Sequence, residues 1–370
     1  MRFYFGIVMK TTYQHKQVGS DPITKTKNCT GNGSGVRRRF VAPLLGTILG
    51  LLTLSAAQAN PGYELGVATN YQILYSGLGL KLDFQGGQGA GSRCLGNIGI
   101  GGDATLYLNP NSLVSNSLIP PFNGGAIDFA NSVNINGPTN GVKGPITGGI
   151  SQVITALTYV NDLSKTLGEE TGNALKIDLV AGQTQVVDAA DGKLDADGNR
   201  IFTIEKASDF KFNFGSNLIF QGNTPLDHVV INFKEGGIYQ FNGNITFRQG
   251  TDNEKELESD QLLWNFYTDP TAKKTKDVSI QNNSFTPSLV ANPLEGAQGV
   301  FLDPDGVMSM NNSTLCGRFF GGNGQNGNVY ANMDINESAV EQCAVAPEPS
   351  TYLLLGVGAL LLGVIYRRTA

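Results

Sequence analysis

Residues 210–247 read FKFNFGSNLIFQGNTPLDHVVINFKEGGIYQFNGNITF, and the spacing of their apolar residues decides the fold class. Phe210, Phe212 and Phe214 alternate with Lys211 and Asn213, the two-residue period of a strand that buries one face, so the three rings make a ladder there. The stretch divides into candidate strands 210–214, 217–220, 229–233, 237–241 and 245–247. Gly215, Gly222-Asn223, Gly236-Gly237 and Gly243-Asn244 separate them, residues that turn a chain at little steric cost. Strands this short, recurring about every ten residues, suit a β-solenoid with Gly and Asn at its corners; a β-sandwich is the alternative. No fixed-period repeat chooses between the two.

The same pattern continues on both sides. Runs at 71–75, 80–84, 105–108, 174–180, 200–204, 262–267 and 278–280 add further strands, and in one of them Leu175, Ile177 and Leu179 face away from Lys176 and Asp178. One segment has a different period. Over 150–167, Val153, Leu157, Val160, Leu163 and Leu167 recur at three and four residues and predict an amphipathic helix, with Gly168 and Gly172 to stop it. A lone helix needs a surface for its apolar stripe, and only a sheet is on offer. The expected domain is mainly β, β-solenoid-like, with one helix along its flank.

The two ends read as addresses rather than as fold. Arg37-Arg38-Arg39, an apolar run over 40–54, and Ala57 and Ala59 in A-x-A spacing are the three parts of a secretory signal peptide over 36–59, with cleavage after Ala59. Residues 1–35 are polar and patternless, an unstructured extension set aside from fold reasoning, with Val36 as an alternative start. Residues 60–345 remain as the exported domain. Near the other end, Pro347-Glu348-Pro349 precedes an apolar run over 352–366 and then Arg367-Arg368. That run makes about 22 Å of helix against a hydrocarbon core of about 30 Å, a gap that Tyr352, Tyr366 and snorkelling arginines narrow. The basic pair is the stop that stays cytoplasmic, so 352–366 is expected to be a short transmembrane helix holding the precursor transiently in the inner membrane.

Between the signals, residues 60–349 hold 16 Lys and Arg against 30 Asp and Glu, a net of −14 where the whole chain has −5. Nucleic acid is excluded as a partner, because its recognition rests on neutralising phosphates with Lys and Arg. An anionic polymer would be repelled for the same reason. The stretch contains one histidine, His228, beside Asp227 and ahead of a strand, which rules out a His-cluster metal site and leaves any Ser-His-Asp mechanism dependent on that ring. A partly exposed histidine at a strand edge is the simpler account. Cys94, Cys316 and Cys343 fall in the exported part and Cys29 in the extension, so one disulfide is allowed with one thiol left over. Cys343 tied to Cys316 or to Cys94 would pin the C-terminal segment onto the domain. No C-x-x-C spacing supports zinc or redox chemistry.

Few other residues suggest a site. Trp264, in Leu262-Leu263-Trp264-Asn265-Phe266-Tyr267, is a candidate carbohydrate contact by ring stacking, although an alternating strand Trp is more commonly core, with Asn265 as a corner or outward residue. Asp195, Asp197 and Asn199 occupy positions one, three and five of a calcium loop, but Arg200 and Lys206 stand where Gly and a bidentate Glu belong. Asp209, Asp227 and Glu235 are candidate carboxylates for a glycosidase, with nothing in the sequence to bring them together. The glycine-rich run 86–102 lacks the Gly-Lys-Ser/Thr of a phosphate loop, and 252–260 reads as a solvated loop. No catalytic residue, metal or cofactor is expected.

Two resemblances sharpen this picture. Pro347-Glu348-Pro349 with its apolar helix and basic tip resembles the PEP-CTERM sorting signal, here over 346–370. The resemblance implies that an exosortase, a membrane protease, recognises the motif, removes the tail and releases or re-anchors the protein outside the cell; an uncut anchor is the alternative. Gly101-Gly102-Asp103-Ala104-Thr105-Leu106, Val229-Val230-Ile231-Asn232, Leu262-Leu263-Trp264-Asn265-Phe266, Ser288-Leu289-Val290-Ala291 and Gly317-Arg318 resemble landmarks of the choice-of-anchor A domain. That family of bacterial surface proteins is distantly similar to ice-binding-like adhesive domains, which are β-solenoids with a helix alongside. Ala291-Asn292-Pro293 stands where the family has Ala-Pro. The resemblances imply a non-catalytic, secreted or cell-surface protein of the extracellular polysaccharide matrix, adhesive or scaffolding. A polysaccharide-degrading enzyme on a β-solenoid is the alternative, and an ice-binding-like module the third reading, although no sustained Thr-x-Thr series is present.

Overall fold

The computed structural model describes residues 62–77, 80–86, 91–117, 121–222, 227–247, 257–269, 274–284, 296–321 and 332–341, all within the second of two units, Ala59–Ala370. The signal segment with Ala57 and Ala59, the sorting residues Pro347, Glu348 and Pro349, the run 352–366 with Arg367 and Arg368, and Cys343 lie outside them. Among the described residues no helix is long and apolar enough to cross a membrane.

The strands pair in parallel from coil to coil, with one antiparallel contact among those described, Lys193–Leu194 against Asn199–Ile204. Parallel stacking of this kind makes a mainly β, β-solenoid-like domain, where a sandwich would need antiparallel hairpins. Its strands form sheets of 14, nine and three strands. In the largest, the main path runs Asn173–Ala174, Asn199–Ile204, His228–Phe233, Leu262–Asn265, Ala297–Asp303, Thr314–Gly321, Ile73–Tyr75, Ile98–Ile100, Ile127–Phe129 and Ile146–Gly148. The order is not the chain order. The chain starts in the middle of the stack, winds to one end at Ile146–Gly148, returns along the helix α1 (Ser151–Glu169), and winds back from Asn173 until Thr314–Gly321 meets Ile73–Tyr75.

This route explains why the strands of the largest sheet are apolar on both faces. Ile73, Val229, Ile231, Trp264, Phe301 and Phe319 point into the solenoid. Leu74, Ile201, Val230, Leu263, Val300, Leu302 and Phe320 point outward, where Val153, Ala156, Leu157, Val160 and Leu167 of α1 and the segment from Tyr63 to Tyr71 cover them. A strand buried on both sides cannot alternate apolar with polar, and runs such as Val229-Val230-Ile231 follow. A polar ladder fixes the end of the helix. Thr203, Asn232 and Asn265 are in register; Asn232 Nδ2 donates to the Leu167 carbonyl at 2.7 Å and Asn265 Nδ2 to the Ser164 carbonyl at 2.9 Å. Asn265 therefore faces outward, as read from the sequence, but beneath the helix.

Two strands turn a corner without ending. Ala297–Asp303 and Thr314–Gly321 pass from the third side of the coil into the largest sheet at Gly299 (φ 114°) and Gly317 (φ 143°), a conformation that L side chains rarely adopt. A Cβ on Gly317 would also overlap the carbonyl oxygen of Gly299 in the coil below.

Several expectations need correction. The strand expected over 262–267 ends at Asn265, and Phe214 lies beyond Phe210–Phe212 at 57% exposed, so the ladder has two inward rings on that strand. The solvated loop at 252–260 is anchored at its end: Leu257 is buried and Asp260 accepts from Arg318 at 2.9 Å. Strands Arg93–Leu95 and Ile98–Ile100 occupy the glycine-rich run.

Candidate functional surface

The nine-stranded sheet packs its inner face with Phe212, Phe241, Ile280, Met310, Ile335 and Phe84, and no described element covers its outer face. Strand register aligns the outward residues into rows. One row crosses all nine strands: Asp178, Lys211, Gln240, Ser279, Ser309, Asp334, Asp83, Tyr107 and Asn136. At about 4.8 Å between strands it extends for about 38 Å. Beside it stand Ile238, Asp277, Lys81, Thr105 and Asn134, of which Ile238 is 67% exposed.

Charge on this face is partly paired across strands. Lys81 Nζ lies 3.2 Å from Asp83 and 3.3 Å from Asp334, carboxylates that face each other in register where the last coil meets the first. Burial works against the Lys81 ammonium, but the two carboxylates outweigh it and hold its pKa above the ordinary value. At one end of the sheet Asp178 lies 3.6 Å from Lys176 and 4.0 Å from Lys211. The face is therefore mixed in hydrogen-bonding character, with more carboxylates than ammonium groups in its centre.

The sequence-selected residues lie elsewhere. Trp264, the candidate carbohydrate contact, is fully buried; it stacks on Phe301 at 5.8 Å and its indole N–H donates to the Gln298 carbonyl at 3.0 Å, so it is core. His228 is also buried rather than partly exposed, edge-on to the Tyr63 ring at 5.1 Å. Asp195 spends its carboxylate on a turn, accepting from the backbone N–H groups of Asp197 (2.9 Å) and Asn199 (2.7 Å) and from the Asn199 side chain (2.7 Å). Among the described residues no group of His, Cys, Asp and Glu is arranged to hold a metal. Asp227 pairs with Arg200 at 3.9 Å, ahead of strand His228–Phe233, and Glu235 accepts from the Ala207 N–H at 2.7 Å, beyond its other end. The strand alone keeps them about 16 Å apart, well outside the spacing of about 5–9.5 Å that glycosidases use.

The cysteines divide. Cys94 is free and buried, and burial, with Glu341 nearby, pushes its thiol far above the ordinary value. Cys316 is disulfide-bonded.

A family model described as an ice-binding-like adhesive domain matches residues 65–292. The PEP-CTERM protein-sorting motif matches residues 345–368, which implies export and processing of a membrane-held precursor by an exosortase. No curated protein sequence matches the chain. Similar solved structures include the ice-binding protein of the Antarctic ascomycete Antarctomyces psychrotrophicus, at 10% identity and TM-score 0.42, covering 77% of this chain and 100% of its own. The ice-binding protein LeIBP from an Arctic yeast, whose structure is described as the basis of its antifreeze activity, is 15% identical at TM-score 0.40, covering 79% and 99%. An ice-binding protein from an Antarctic Flavobacteriaceae bacterium is 13% identical at TM-score 0.41, covering 78% and 49%. With more than half of its length matched by the family model and the sorting motif at its C-terminus, the chain belongs to the family of ice-binding-like adhesive domains.

Proposed function

We propose that the protein is a non-catalytic adhesive or scaffolding component of the bacterial surface and its extracellular polysaccharide matrix, with the open nine-stranded face as its contact surface. The asymmetry of the two large sheets carries this reading: one is sealed by α1, and the other presents about 38 Å of aligned amides, hydroxyls and carboxylates to water. A linear glycan laid across the strands meets a polar group about every 4.8 Å, with the Tyr107 ring available for stacking. The surplus of carboxylates favours neutral or amino-bearing sugars over acidic ones.

The ends support the same reading. The signal peptide 36–59 delivers residues 60–345, the helix 352–366 with Arg367 and Arg368 holds the precursor in the inner membrane, and exosortase acts at Pro347-Glu348-Pro349. Glu341 is the in-register partner of Cys316, so Cys343, two residues further on, is our choice for closing the Cys316 disulfide and fastening the chain ahead of the motif. The choice-of-anchor A landmarks fit a surface protein of this kind.

Co-sedimentation with cell-free exopolysaccharide tests the contact surface. Gln240→Arg combined with Ser279→Arg, both on the open face, is expected to lower the bound fraction about tenfold, while Asp162→Arg on the exposed side of α1 leaves it unchanged. Equal loss from all variants, or binding that ignores the open-face pair, rejects this face as the contact. Ice binding is the second reading, favoured by family membership. Against it, the two outward rows hold one threonine, Thr105, among several ion pairs. Thermal hysteresis in purified protein would decide for ice, and release of reducing ends from the polysaccharide would decide for an enzyme.

A further inference from the structure

The two ends of the coil stack are finished differently. At one end lies the coil 173–197, whose strands Asn173–Ala174, Ile177–Leu179 and Thr184–Asp188 have a parallel neighbour on one side alone among the described residues. Its inward apolar residues Ile177, Leu179 and Val187 are buried all the same. Gln185, in register with the core residue Leu218, points inward and reaches across the opening, its Nε2 donating to the Lys176 carbonyl at 3.0 Å. Asp178, Asp188, Asp191, Asp195 and Asp197 stand on this coil with Lys176 and Lys193, so the end is capped by an amide and charged, as a strand edge facing water usually is.

At the other end, strands Val133–Asn136 and Ile146–Gly148 and the bridge residue Val142 likewise have a neighbour on one side alone among the described residues. Here Val133, Ile135, Val142 and Ile146 pack against the core yet are only half-buried, so the interior is open. Residues 131–150 hold one charged residue, Lys143, in a domain that is otherwise strongly acidic. The ladder fixes which backbone groups are free. The Ala104 N–H donates to the Ser132 carbonyl at 3.3 Å, so even-numbered peptide groups of this strand face its neighbour and those of Val133 and Ile135 face the empty edge. An unpaired edge beside an open apolar interior, nearly free of charge, is the composition of an interface.

We propose that a second copy of this chain closes this end, related by a two-fold axis through Asn134. The two Val133–Asn136 strands then pair antiparallel: Val133 of each copy exchanges both backbone hydrogen bonds with Ile135 of the other, and the half-buried apolar residues of the two coils cover one another. Charge selects this contact. Two strongly acidic domains repel wherever carboxylates meet, and residues 131–150 bring none; stacking the opposite end here would set five aspartates and an amide cap against an apolar opening. A contact of one surface with itself closes at two copies. Because side chains alternate along the strand, Asn134 stands on the open face, and the two nine-stranded faces merge into one of about 80 Å. The inference concerns a different surface from the proposed glycan contact and does not depend on it.

Sedimentation velocity and oxidative cross-linking of the exported protein test this without any ligand. The expected mass is that of a dimer. At the axis the two Asn134 residues form a non-hydrogen-bonded pair with Cα atoms about 4.5 Å apart, within disulfide range. Asn134→Cys is therefore expected to give a disulfide-linked dimer, whereas Asn136→Cys, displaced from the axis, and Gln183→Cys, at the opposite end, give none; all three positions are exposed, so the variants should fold. Asn134→Asp sets two carboxylates face to face and is expected to weaken the dimer several-fold. A monomer at the highest soluble concentration overturns the proposal, as does a dimer that Asn134→Cys fails to link or that Gln183→Cys links.

Discussion

Single residues carry ionisable groups toward the interior. Asp305, in Asp303-Pro304-Asp305-Gly306, is 8% exposed, and burial raises its pKa from 3.8 to about 6, the nearby Lys276 holding it back. The folded state thus holds this proton more tightly than the unfolded chain does. The stability gained from protonation is complete below about pH 3.8 and is lost as pH rises through 6, a difference of roughly 3 kcal/mol. Asp305→Asn removes the titration, so urea midpoints of wild type and variant are expected to agree near pH 4 and to separate by pH 7 in favour of the variant. Parallel pH curves would show that Asp305 is not the group responsible. Trp264 and Asn265 teach a related lesson: alternation correctly put them on opposite faces of one strand, but the face that looked solvent-exposed is sealed by α1.

At the scale of elements, the critical joint is where the last coil meets the first. Strand Thr314–Gly321 carries Arg318, whose guanidinium bonds Asp260 through Nε and Nη2, both at 2.9 Å. Its Nη1 donates to the carbonyls of Thr69 (2.8 Å) and Tyr71 (2.6 Å) and to the Gln72 side chain (2.9 Å). One side chain therefore ties together the 3-10 turn Gly66–Asn70, the turn Ser259–Gln261 and the junction strand. Arg318→Ala strips a buried partner from all of them and is expected to cost about 3–5 kcal/mol, read as a fall in denaturation midpoint with unchanged slope. Arg318→Lys should recover little, since an ammonium lacks the fork that reaches both Asp260 oxygens. Loss below about 1 kcal/mol would mean that the joint is held by strand pairing alone.

On the scale of the whole chain, beginning and end of the domain leave the solenoid from the middle of its stack, because the first coil sits directly on the last. The segment leading to Pro347-Glu348-Pro349 therefore departs from a side strand, Ala339–Glu341, and not from an end. If the motif is cut as proposed, Pro347→Ala with Pro349→Ala is expected to leave a longer, membrane-held form, while wild type is released or re-anchored outside the cell. Fractionation with a terminal tag that finds the two forms alike in size and place would reject processing.

Much of this was written locally. The two-residue period at 210–214 and 174–180, the three-and-four period at 150–167 and the motifs at both ends depend on residues within one turn or one strand of each other, and each needs only neighbours to be read. The open polar row and the junction held by Arg318 bring together residues from different coils, up to 251 positions apart for Asp83 and Asp334 of the row. Stacking register decides those meetings, and register is set by how complete coils pack on one another, with the helix returning the chain so that its last coil lands on its first.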